Sequence, residues 1–290
     1  MAEPIPHQRR LWLQDRAFRI VIWLMRCLPY AWRVQFFGWI TSRIIAPIAG
    51  YDRRIRENLN SILPDLDRKE VDRIVRAVPN NVGRNLIEMY SGQQFIDRAA
   101  RFEPKGEGLA AIAQARAEGK PVVIVTGHFG NYLAARANLI QRGYRIAGLY
   151  RPMENPYFND HYVAAMETIG KPMFARGNRG LGEMIRYLRQ GGFLGLLIDQ
   201  RMVQGARLSF FGHQALTALS AAEMALKYDA LLVPIYAIRR ENGLDFDIIV
   251  ERPIPHTTPE EMTQALNDSL EALVRQHMDQ WFWIHRRWKP

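Results

Sequence analysis

From residue 121 onward, short apolar runs alternate with longer amphipathic stretches. The runs are Pro121 to Thr126 (PVVIVT), Arg145 to Tyr150, Phe193 to Ile198 and Leu231 to Ile238. Short, β-branched and continuously apolar segments of this kind predict strands covered on both faces. A helical stretch separates each run from the next, so the expected fold is α/β, with a mainly parallel central sheet flanked by helices. Upstream, from 51 to about 100, the pattern is helical. Pro64-Asp65-Leu66-Asp67 reads as a helix start there, with Asp67 or Asp65 as the cap and Glu70 in the first turn.

Residues 11 to 50 depart from both patterns. They hold four of the seven tryptophans, yet Arg16, Arg19, Arg26, Arg33 and Arg43 interrupt the apolar runs and Pro29 breaks the helix. A membrane-spanning helix needs roughly 20 nearly uncharged residues, so a single clean span is disfavoured. Arginine beside tryptophan and aliphatic residues suits helices lying in a lipid headgroup layer. We therefore expect two interfacial or re-entrant helices in an N-terminal hydrophobic, membrane-associated segment covering residues 1 to 60. A buried hairpin is the alternative. The segment lacks the cleavage pattern of a secretory signal, and Arg53, Arg54 and Arg56 read as a headgroup-facing collar.

Composition narrows the partners. The 290 residues are 48% apolar, enough to bury a core, and carry a formal net charge of +10. Such a charge implies an anionic partner. The single cysteine, Cys27, excludes an internal disulfide and a cysteine-based zinc cluster. His161, His213 and His256 lack metal-like spacing with acidic residues, and no metal is expected. No nucleic-acid-binding module is recognisable, so nucleic acid is not expected as a partner.

Ligands of parallel sheets bind beyond the carboxyl ends of the strands. The residues just past three of those ends are His128, Arg151 and Asp199. Gly127 and Gly130 flank His128, and a helix is expected to begin near Asn131. Glycines permit close approach of a substrate carbonyl, and free amides at a helix start can support developing negative charge. A neutral imidazole there can deprotonate a hydroxyl for attack on a thioester.

Several motifs occur together: GHFGNY, LYRPMENP, RGNRGLGEMIRYLRQGGFLGLLIDQR, FFGHQALTALSAAEMALKYDALLVPIY and the ending QWFWIHRRWKP. In this order they resemble the late acyltransferases of lipid A biosynthesis, the lauroyl and myristoyl transferase group of the lysophospholipid acyltransferase superfamily. The resemblance covers most of the chain and makes residues 61 to 290 an α/β acyltransferase domain. It implies transfer of a fatty acyl chain from acyl carrier protein, or from coenzyme A, to a hydroxyl of a lipid A precursor or related glycolipid. A mannolipid is an alternative acceptor. The co-substrate is the acyl donor and no separate cofactor is expected. The implied place of work is the cytoplasmic face of the bacterial inner membrane, on an anionic phospholipid surface.

The family motif is a histidine followed, after four intervening residues, by Asp or Glu. Here Leu133 holds that place. A carboxylate would orient the imidazole and stabilise the imidazolium, which leucine does not do. An engineered inactivating substitution, a natural non-catalytic relative and a replacement carboxylate are all open, with Asp199 the candidate for the last. Inactivation ranks above rescue, because the rest of the motif is intact.

The resemblance also implies roles elsewhere. Arg151 would bind phosphate or the thioester region, unless it pairs with Glu154, and Asp199 would anchor Arg151 or His128. Asn131 and Arg201 are expected at the substrate. Phe210, Phe211, Gly212 and Thr217 would line the acyl or acceptor groove, unless the two phenylalanines are core. Arg176 and Arg179 form a basic glycine-rich turn able to hold phosphate. Asn155 and Pro156 read as a turn.

Overall fold

Pro29 divides the N-terminal hydrophobic stretch as its sequence predicts. α1 (Pro6–Arg26) ends before it and α2 (Tyr30–Ile40) begins immediately after. The computed structural model describes residues 6–289. A π-helical turn, Thr41–Ile45, joins α2 to the short α3 (Ala46–Ile48), and α4 (Tyr51–Ile62) follows. Among the described residues, no helix is long and apolar enough to cross a membrane. Instead α1, α2 and α3 leave large apolar side chains outside. Trp23 is 65% exposed, Trp32 70% and Ile48 84%, and Trp12, Phe36 and Trp39 are also exposed.

The expected collar is only partly free. Arg56 pairs with Asp72 at 2.6 Å and Arg53 lies 3.6 Å from Glu57. α5 (Arg68–Tyr90) begins where the sequence puts it, capped by the Asp67 carboxylate, which accepts from the Lys69 amide at 3.2 Å. α6 (Gln93–Ala100) and α7 (Leu109–Ala117) lead into the sheet. No gap in packing falls at residue 60. Ile55, Leu59 and Ile62 share an apolar cluster with Val71 and Ile74 of α5 and with Trp281 and Trp283 near the C-terminus.

All four anticipated strands form, as β1 (Val122–Thr126), β2 (Ile146–Tyr150), β4 (Phe193–Leu197) and β7 (Leu231–Arg239). The sheet also contains β3 (Met173–Ala175) and β8 (Phe246–Val250). Its order is β3-β2-β4-β1-β7-β8, parallel except for the antiparallel β7/β8 pair. The crossovers are α8 (Tyr132–Gln141), α9 (Pro156–Ile169), α10 (Asn178–Arg189) and α11 (Ser220–Lys227). A separate hairpin pairs β5 (Ala206–Phe210) with β6 (His213–Thr217), and α12 (Pro259–Gln276) packs beside it.

The hairpin corrects part of the groove expectation. Phe210 and Phe211 are buried against Trp281, Trp283 and Trp288, so they are core. Phe211 and Gly212 both have positive φ, +57° and +72°, so Gly212 is a turn residue of the hairpin. Thr217 is fully buried, and its hydroxyl accepts from Arg287 at 2.5 Å and donates to the Ala215 carbonyl at 3.1 Å. None of these four residues lines the cavity described below.

Candidate active site

The sheet's strand order builds the site. β1 and β4 are parallel neighbours with Thr126 opposite Leu197. Two residues further along each chain stand His128 and Asp199, so the same register carries them face to face beyond the strand ends. Asp199 Oδ1 lies 2.8 Å from His128 Nδ1, and Asp199 Oδ2 accepts the His128 backbone N–H at 2.7 Å. The indole N–H of Trp281 adds a third donor to Oδ2 at 3.0 Å.

Gly127 makes this approach possible. A Cβ there would stand 2.8 Å from the Leu270 side chain and 3.2 Å from Asp199 Oδ2. Gly130 has φ +55°, and a Cβ on it would collide with the Ala237 carbonyl. The loop is thus held tightly between β7 and the C-terminal segment.

Burial is the largest single influence on the Asp199 carboxyl, and it pushes the pKa up. The nearby His128 charge, the His128 ring and backbone donors and the Trp281 indole together outweigh it, leaving Asp199 below the ordinary carboxylate value. It is therefore ionised at neutral pH. An acid does face the imidazole, delivered by β4 instead of by α8, so Asp199 stands where a replacement carboxylate would have to stand.

Leu133 itself is buried and lines two cavities that meet at His128. The larger, about 690 Å³, is walled by α8, α9 and the ends of β2 and β4, with Leu133, Ala135, Leu139, Tyr162 and Met166 among its apolar lining. Its one buried charge is Arg136. That guanidinium donates to the carbonyls of Gly170 at 2.7 Å, Ile146 at 3.1 Å and Met166 at 3.4 Å. Burial lowers its pKa to about 10, and it caps the C-terminal end of α9. The smaller cavity, about 170 Å³, lies between α5 and Phe282.

Four of the amides around the expected helix start are already engaged. Gly130 N–H donates to the Gln280 carbonyl and Asn131 N–H to the Ala237 carbonyl. Asn131 Oδ1 accepts from the amides of Leu133 and Ala134, making Asn131 the cap of α8 and not a cavity residue. Its side-chain amide donates to Glu88 at 2.7 Å, and Glu88 is held by the buried Arg239.

The remaining expected residues divide. Arg151 and Arg176 stand exposed at the mouth of the large cavity, and Arg151 makes no ion pair with Glu154. Arg179 lies outside it, 3.0 Å from Glu183. Arg201 is tied to the C-terminal segment, its amide donating to His285 and its Nε to the Lys289 carbonyl. Asn155 caps α9, with Pro156 as its first residue. Among the described residues, no three His, Cys, Asp or Glu side chains come together as a metal site.

Sequence reasoning missed Gln200, whose amide nitrogen lies 3.4 Å from His128 Nε2, and it missed Trp281 and His285. Gln200 adjoins the strand-end Asp199 and was legible by position alone. The two C-terminal residues reach the site over more than eighty positions of sequence, with no periodic signal.

A profile of the bacterial lipid A biosynthesis acyltransferases matches residues 7–290. The chain belongs to that family. It is therefore an acyltransferase by family, with its candidate base on the first strand end. A lipid A biosynthesis acyltransferase of Haemophilus influenzae is 25% identical over 266 residues, 90% of this chain and 83% of the relative. The lipid A biosynthesis palmitoleoyltransferase of Escherichia coli is 23% identical over 93% of this chain and 89% of its own length.

Proposed function

We propose that this protein moves a fatty acyl chain from acyl carrier protein or coenzyme A to a hydroxyl of a lipid A precursor, at the cytoplasmic face of the bacterial inner membrane. One observation carries the reading: in a member of this family, an Asp199-bound His128 stands at the mouth of a large apolar cavity. The exposed apolar face of α1, α2 and α3 supports the membrane part.

With Nδ1 donating to Asp199, His128 offers its Nε2 lone pair to the acceptor hydroxyl, which would replace the long 3.4 Å contact from the Gln200 amide. The imidazole takes that proton as the oxygen attacks the thioester carbonyl, and the imidazolium is stabilised by Asp199. Collapse of the tetrahedral adduct expels the thiolate, which takes the proton from the ring. Ester and thiol leave, and no other reactant is consumed. Arg151, at the cavity mouth, and Gln200, beside the imidazole, are side-chain donors that would face the developing oxyanion. The apolar cavity would hold the acyl chain.

The test uses the purified protein with acyl carrier protein and coenzyme A thioesters and a lipid A precursor, reading the ester by mass spectrometry. Ester should form and be lost in His128→Ala. Lipid binding without ester would favour a non-catalytic binding protein, the reading to which Leu133 points; ester on a mannolipid alone would change the acceptor.

A further inference from the structure

A second cleft adjoins the small cavity at His128. Its volume is about 1050 Å³, and Asn81 and Gln280 line both this cleft and the small cavity that touches His128. Seven cationic side chains face it against four acidic ones. Those acids are largely committed. Asp279 pairs with Arg73 at 3.2 Å, Asp247 with Arg240 at 2.7 Å, and Asp72 with Arg56 at 2.6 Å.

What is left is a positive set without direct ion pairs, with Asp72 acting on Arg76 only at longer range. Arg43, Lys69 and Arg76 are exposed and form no ion pair, and Arg84 bonds only to the neutral Asn80 side chain and the Gly243 carbonyl. Burial, followed by the neighbouring Arg239, lowers the Arg84 pKa against the opposing pull of Glu88. Cations in excess of the acids around a recess call for an anionic ligand.

The rim identifies the kind of anion. Trp39, 50% exposed, stands at the edge, and Arg43 sits on the π-helical turn directly before the exposed Ile44 and Ile45. The cleft therefore opens where the outward apolar face of α2 and α3 ends. A soluble anion would have no need of that neighbourhood. A lipid has an apolar part for the face and a phosphate for the guanidinium forks.

We propose that this cleft binds the phosphate ester of an anionic lipid headgroup, with Arg43 and Arg76 as its principal contacts. The inference rests on the membrane-surface part of the proposed function and names the site that part lacked. It also relocates the basic surface from the expected collar, where Arg53 and Arg56 meet carboxylates, to the cleft beside the catalytic loop.

Vesicle flotation tests it, comparing phosphatidylcholine with phosphatidylcholine containing phosphatidylglycerol, for the wild type, Arg43→Gln/Arg76→Gln and the control Arg101→Gln on the exposed end of α6. A cation near an anionic surface contributes about 1 kcal/mol, roughly fivefold in binding. The double variant should lose about 25-fold of the gain due to phosphatidylglycerol and keep its binding to phosphatidylcholine. The control should lose little. A gain unchanged in the double variant overturns the cleft while leaving the membrane reading intact. Failure of the wild type to float with any vesicle overturns both. Heat stabilisation by free glycerol phosphate, abolished in the double variant and matching that given by vesicles, would assign the cleft to a soluble phosphate ester. Arginine-dependent binding of an acidic protein in place of vesicles would likewise overturn the lipid assignment.

Discussion

Replacing Asp199 with asparagine isolates the contact on which the proposed chemistry depends. Asp199 Oδ2 receives two N–H donors, the His128 amide at 2.7 Å and the Trp281 indole at 3.0 Å, while Oδ1 faces His128 Nδ1 at 2.8 Å. An asparagine must leave its carbonyl oxygen with the two fixed donors, which puts its NH₂ against Nδ1. Nδ1 then accepts, the ring proton moves to Nε2, and the lone pair needed by the acceptor hydroxyl is lost. In serine hydrolases the same change of tautomer lowers turnover about 10⁴-fold, which corresponds to ~5.4 kcal/mol of barrier.

The shape of the side chain and all three contacts survive, so the variant should fold, with a melting temperature lowered by the loss of the stabilising charge. The assay is steady-state ester formation beside a thermal melt, with kcat expected to fall by about four decades and KM to stay near that of the wild type. A folded Asp199→Asn enzyme within tenfold of wild-type turnover would refute Asp199 as the orienting acid. It would return the question to Leu133.

Other expectations follow from the same geometry. Leu133→Glu should not raise turnover and should lower stability by about 1–3 kcal/mol, since it places a carboxyl in an apolar wall; faster ester formation with an unchanged melt would contradict this. Ala135→Phe, in the wall of the 690 Å³ cavity, should shift preference toward shorter acyl donors when chain lengths compete, at an overpacking cost of about 1–3 kcal/mol. His161 on α9 lies 2.9 Å from the buried Asp15 of α1, and burial and then Arg19 lower its pKa against the opposing pull of Asp15. A histidine depressed in the folded state is protonated first in the unfolded chain, so stability should fall as pH drops below about 6.5. His285, also depressed chiefly by burial, adds to the same slope, and His161→Gln should flatten part of the melting temperature's dependence on pH in that window. Asp199 has the opposite chemistry: its lowered carboxyl stabilises the fold above about pH 4, and that contribution is lost as acid protonates it.

The parallel strands were legible because burial on both faces leaves a continuous apolar run, and all four such runs became strands. β8 was not, because FDIIV is an edge strand with polar character and pairs antiparallel. β3 is only three residues long, too short for a period to register. The motif phenylalanines misled for a different reason. Phe210 and Phe211 look alike in sequence whether they line a groove or fill a core, and three C-terminal tryptophans settled them in the core. Free amides are expected around the α8 start, but Gln280 and Ala237, remote in sequence, accept those of Gly130 and Asn131, and the Asn131 side chain takes those of Leu133 and Ala134.

The pairing of His128 with Asp199 shows where such reading stops and what carries it further. A local motif expects the acid one helical turn after the histidine, and at that point Leu133 faces an apolar cavity. The acid instead arrives by strand adjacency. β4, not the sequence neighbour β2, lies beside β1, and the register that sets Thr126 against Leu197 sets residue 128 against residue 199. Strand order is a tertiary fact, fixed by which faces the crossover helices cover, and no spacing in the chain announces it. On the proposed mechanism, an acid carried by the neighbouring strand leaves position 133 free to be apolar, and Leu133 keeps one wall of the cavity hydrocarbon up to the imidazole.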